Sequence, residues 1–67
     1  MIDTGCAQRL MEAREKKGLS RADAADAIGT SYFNILRYET AQRCPQLYML
    51  DALADLYDVT LDWLCGR

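Results

Sequence analysis

Apolar residues recur every three or four positions along most of the chain, which is the helical period. Cys6, Leu10, Ala13 and Lys17 fall on one face of a first helix that Asp3 or Thr4 can cap and that runs to about Lys17. Gln8, Glu12, Glu15 and Lys16 turn away from that face. Gly18 ends the helix and Leu19 tucks beneath the corner. Ser20 then opens a second helix, its hydroxyl placed to accept an N–H, with Asp23 where a capping-box carboxylate stands. Ala22, Ala25 and Ile28 give residues 21–28 a small apolar face. Gly29 follows, where glycine enters the left-handed region at least cost. Thr30-Ser31 supply a new cap, and Ile35 with Tyr38 makes the stripe of a third helix over 31–39. Two short helices meeting at a tight corner beside the small Ala25 predict a helix-turn-helix.

A loop, Thr40-Ala41-Gln42-Arg43-Cys44, leads to Pro45, which is suited to opening a helix. The fourth helix is expected from about Gln46 to Tyr57, with Leu47, Leu50, Leu53, Ala54 and Tyr57 on its apolar face. Asp58-Val59 turn the chain, Thr60 caps, and a short fifth helix runs through Cys65 until Gly66 ends it. Leu61 and Leu64 face inward, and Trp63 is at best partly buried. The expected fold is all-α with five helices, a single domain over residues 1–67 without repeats, linker or low-complexity tract. A chain this short buries only about 60% of its unfolded surface, so dimerisation would help it. Two opposite charges, Arg14 and Glu39, each lie one turn beyond a stripe residue. An unpaired buried charge is expensive, so each is the other's expected partner.

Composition narrows the function classes. No stretch approaches the roughly 20 apolar residues that cross a bilayer, and no basic-then-apolar leader opens the chain, so a soluble, cytoplasmic protein is expected. Cys6, Cys44 and Cys65 form no C-x-x-C pair and the chain has 0 histidines; neither a zinc site nor a disulfide framework is expected. Reduced thiols are, with Cys6 as a small core residue. Without histidine no serine or cysteine has a base at usable spacing. Asp51 and Asp55 lie one turn apart on a solvated face. The chain is therefore not expected to be an enzyme, and no cofactor, metal or small-molecule ligand is evident. Net charge is −2, which is awkward for a nucleic-acid partner. The acid is concentrated late, however: Asp51, Asp55, Asp58 and Asp62 against Arg67 alone after residue 43.

Leu19-Ser20, Ala25, Gly29, Ser31, Ile35 and Glu39 stand in the order found in the phage-repressor-like (Xre) helix-turn-helix family, which the sequence resembles. Leu10-x-x-x-Arg14, Lys17-Gly18-Leu19-Ser20, Pro45 and Leu61-Asp62-Trp63-Leu64 extend the likeness over roughly residues 6–66. The resemblance implies a lambda-repressor-like domain with the helix-turn-helix at helices 2 and 3. It also implies a transcriptional regulator, a repressor of phage, mobile-element or antitoxin type, acting as a homodimer on a palindromic operator in double-stranded DNA. Tyr32, Phe33 and Arg37 take the base-reading positions, with Asn34 turned more sideways. Arg21, Ser31, Thr40, Gln42 and Arg43 are the expected backbone contacts, Arg21 replacing the family's usual glutamine; Lys16 and Lys17 attract at long range only. Arg14 and Glu39 are the family's structural pair. Dimer contacts come from the C-terminal region, here Val59, Leu61 and Trp63, although Trp63 could equally pack on the fourth helix. No effector domain is expected after Arg67. The family has glycine where Ala41 stands, so alanine there costs about 1 kcal/mol or the loop takes another path. A second reading keeps the fold but gives it a protein partner, docked on Tyr32, Phe33 and Leu36.

Overall fold

The computed structural model describes residues 4–65. These form five α-helices and no strand: α1 Thr4–Lys16, α2 Arg21–Ile28, α3 Tyr32–Glu39, α4 Leu47–Tyr57 and α5 Leu61–Cys65. Asp3 and Gly66, expected to cap the first helix and end the last, lie outside the described residues. The corners form as their side chains dictate. Ser20 Oγ accepts the Asp23 N–H at 3.0 Å, and Asp23 Oδ2 accepts the Ser20 N–H at 3.3 Å, closing a capping box. Gly29 sits at φ 73°, its N–H on the Ala25 and Asp26 carbonyls. A Cβ there would meet nothing within 4 Å, so the need for glycine is one of backbone conformation alone. Ser31 Oγ then accepts the Asn34 N–H at 3.2 Å and starts α3.

The core gathers around Leu10, Ile35, Leu53 and Leu64, one each from α1, α3, α4 and α5. α3 packs on α1 and α2, while α5 packs on α1 and α4. Cys6, Ala13, Tyr38, Leu50, Ala54 and Tyr57 are buried as the helical period requires, and Leu61 is half-buried against them. Thr60 Oγ1 caps α5 by accepting the Trp63 N–H at 3.1 Å.

Three expected core positions lie elsewhere. Lys17 is exposed, because α1 stops at Lys16 and the chain turns off at Gly18, φ 78°. In α2 the buried pair is Ala24 and Ala25, with Ile28 packed beside them, and Ala22 is exposed. Leu47 is 70% exposed. It is the first residue of α4 and stands roughly 70° from the centre of the Leu50–Tyr57 stripe. Gln46 serves as the N-cap of α4 without a side-chain bond, and Pro45 is buried just ahead of it. Ala41 does take the left-handed conformation, φ 61°, and so does Asp58, φ 58°.

Candidate nucleic-acid interface

Helix α3 has two sides with different surroundings. Ile35, Tyr38 and Glu39 are buried, at 1%, 6% and 8% exposure. Phe33 is 62% exposed, Tyr32 43%, and Arg37 also faces solvent. Leu36 lies between, half-buried. Tyr32 and Phe33 meet edge to face, ring centroids 5.6 Å apart and planes at 84°. Asn34 leans off this surface, its Nδ2 donating to Thr30 Oγ1 at 2.9 Å. The outward side therefore presents two aromatic rings and one guanidinium on a helix whose other side is fixed.

What fixes it is a buried carboxylate. Arg14 donates to Glu39 through Nε at 2.7 Å and Nη2 at 3.2 Å, and through Nη1 to the Leu19 carbonyl at 2.7 Å. The expected pair is thus in place, and it ties α1, the α1–α2 turn and the end of α3 together. Arg21 adds a second cation, its Nε on Glu39 Oε1 at 3.0 Å. Residue spacing does not announce this bond: an arginine at the start of α2 and a glutamate 18 residues on give no periodic signal. The bond to Glu39, then the phenol of Tyr32, hold the Arg21 pKa above its usual value despite some desolvation. With one carboxylate between two arginines the cluster keeps a net positive charge.

The remaining candidates differ in what their donors already do. Ser31 Oγ is an acceptor for its cap bond, so its O–H remains available to a phosphate. Thr40 Oγ1 instead donates to the Leu36 carbonyl at 2.8 Å and must turn from it before it can donate outward. The N–H groups of Gln42 and Arg43 both reach the Arg37 carbonyl, at 3.0 and 3.3 Å, which holds their exposed side chains next to the end of α3. Tyr48, 68% exposed, was not anticipated; it lines a polar hollow with Thr30, Asn34, Arg43 and Gln46. Its place on the same face of α4 as the exposed Asp51 and Asp55 was the available signal. Away from α3, Val59 and Trp63 border a groove between α1 and the α4–α5 turn, with Trp63 40% exposed. Cys44 and Cys65 are free thiols. Among the described residues no helix is long and apolar enough to cross a membrane.

Known proteins resemble this chain in sequence. A family profile described as helix-turn-helix matches residues 10–64. The HTH-type transcriptional regulator AnsR of Bacillus subtilis (strain 168) is 44% identical over 59 residues, 88% of this chain and 51% of that protein. The HTH-type transcriptional regulator ImmR of the same organism is 37% identical over 60 residues, 90% of this chain and 47% of that protein. The cryptic phage CTXphi transcriptional repressor RstR of Vibrio cholerae serotype O1 is 33% identical over 60 residues, again 90% of this chain and 54% of that protein. The chain thus spans about half the length of the curated relatives it matches.

Proposed function

The chain belongs to the phage-repressor-like helix-turn-helix family, and we propose that it binds a specific sequence in double-stranded DNA and regulates transcription there. The observation that carries this reading is the two-sidedness of α3: Tyr32, Phe33 and Arg37 stand outside while Ile35, Tyr38 and Glu39 are sealed within. A recognition helix needs that geometry, since its outward side chains must enter a major groove while its inward ones hold the angle of entry. Arg37 is suited to guanine O6 and N7, Phe33 to a thymine methyl, and Tyr32 to a base edge or a phosphate. Arg21, Ser31, Thr40, Gln42 and Arg43 contact the sugar–phosphate backbone on either side. Two copies joined through Val59, Leu61 and Trp63 bind half-sites about one helical turn apart on a palindromic operator, in the cytoplasm. The regulators and the phage repressor among the relatives support repression as the outcome.

Selection from a randomised duplex pool, repeated with Arg37→Ala, tests the proposal. The wild type should enrich one palindromic sequence and the variant should lose preference at one base pair in each half. The exposed Tyr32–Phe33 pair also favours a protein partner as the second reading. A wild type that enriches no sequence at low salt but retains a protein on that surface would establish it instead.

A further inference from the structure

The groove between α1 and the α4–α5 turn has walls of unlike charge. Lys16 and Lys17 stand on the α1 wall, with Glu12 one turn before them, and Asp58 stands on the opposite wall beside Val59 and Trp63. All four charged side chains are exposed. Two lysines against one glutamate leave the first wall net positive, and Asp58 makes the second negative. Among the described residues the only ion pairs are those of Glu39 with Arg14 and Arg21, so the lysines and Asp58 face each other without meeting. The open space between the walls is about 530 Å³. Its floor is apolar: Ala13 and Tyr57 are buried, Val59 is half-buried and Trp63 is 40% exposed.

An occupant of a single charge sign would meet a like charge on one of the two walls. A second copy of this chain would not. A two-fold axis running along the groove sets each wall against the opposite wall of the other copy, lysine to aspartate on both sides. An axis across the groove would set lysine on lysine and is disfavoured. The favoured rotation also brings each Trp63 to the partner's lysine wall, where an indole face attracts an ammonium and covers its methylene stem. We infer that this groove is where two copies recognise each other: the α1 wall of each seats on the α4–α5 turn of the other, with Lys16 and Lys17 against the partner's Asp58. That placement rests on the proposal that two copies join through Val59, Leu61 and Trp63. It adds α1 to their contact and makes charge the means by which a chain selects its own kind.

The test is sedimentation equilibrium of the full chain without DNA, across a range of salt, with circular dichroism on each variant to show an intact fold. The wild type should form dimers that weaken as salt screens the pairs. Lys16→Glu/Lys17→Glu sets acid against acid and should weaken self-association by about tenfold. Asp58→Lys should do the same with lysine against lysine. Asp58→Asn keeps a residue at ease in the left-handed conformation that Asp58 holds, φ 58°; it should weaken the dimer less and flatten its salt dependence. Mixed in equal amounts, the Lys16→Glu/Lys17→Glu and Asp58→Lys chains should pair with each other about as tightly as the wild type. One of the two symmetric contacts is then native and the other is exchanged. A wild-type dimer that is indifferent to these variants, or a mixture of folded variants no tighter than its components, overturns the inference and leaves the dimer standing. If Asp58→Lys does not fold, Asp58→Asn decides, and an unweakened dimer is again the overturning result. A wild type that stays monomeric removes the dimer reading together with the inference, and no outcome bears on whether α3 reads bases.

Discussion

Ala41→Gly probes the loop that carries Gln42 and Arg43 past the end of α3. Ala41 sits at φ 61°, where the Cβ of an L-residue crowds the next carbonyl oxygen at roughly 1–2 kcal/mol. The loop cannot relax easily, because the two following N–H groups both bond to the Arg37 carbonyl. Glycine abolishes the clash but gives the unfolded chain more conformations, which offsets about 0.4–1 kcal/mol. The balance favours glycine by about 0.5–1 kcal/mol. In a domain of this size, 1 kcal/mol moves Tm by roughly 4–8 °C, so a rise of several degrees is expected. Urea unfolding followed by far-ultraviolet circular dichroism should show a higher midpoint at an unchanged m-value. Gly29→Ala is the mirror experiment. At φ 73° with no atom in the way of a Cβ, it should lose stability on the same scale. An Ala41→Gly protein that is unchanged or weaker, beside a Gly29→Ala protein that loses stability as expected, would refute the strained loop. If neither moved, the magnitudes themselves would be wrong.

Removing one member of the buried ion pair leaves the other with an uncompensated charge. Arg14→Met should therefore cost roughly 3–5 kcal/mol in urea unfolding, and a cost near zero would mean that Arg21 alone suffices for Glu39. Tyr57 is 3% exposed; burial first, and the Glu39 charge second, against Arg14, push its pKa from 10.0 to about 12. Folding favours the neutral phenol, so its contribution is complete below pH 10 and is lost as pH rises toward about 12; Tyr57→Phe should flatten that decline. The proposed dimer, with two or three charged contacts per subunit from Arg21, Arg37 and Arg43, should show a log–log salt slope of about −4 to −5 on DNA. A markedly steeper slope would mean that Lys16 and Lys17 also reach phosphates.

The legible parts of the fold were those where a single residue type has one strong local reason to be where it is. Ser20, Asp23, Gly29 and Ser31 each announced a corner, and all four do what their chemistry suggests. Arg14 and Glu39 were legible for another reason: charges on apolar stripes have few affordable partners. Helix α2 was hard because five of its eight residues are apolar and four of those are alanine. A methyl group on every side leaves the choice of buried face to the neighbouring helices, and they cover Ala24 rather than Ala22. Leu47 misled because a stripe read from spacing has soft edges, and the first turn of a helix lies where its cover runs out. In the interface, the exposure of Tyr32, Phe33 and Arg37 followed from the same spacing that buries Ile35 and Tyr38. The second arginine on Glu39 did not, since it depends on how α2 crosses α3 and on no pattern within either.

The division of labour within α3 bears on how such a protein changes its target. The residues that seat the helix on the body are Ile35, Tyr38 and Glu39, all buried. If α3 reads bases as proposed, residues 33 and 37 can be exchanged while the scaffold keeps its melting behaviour, so new addresses become accessible by a few substitutions without passing through unfolded intermediates.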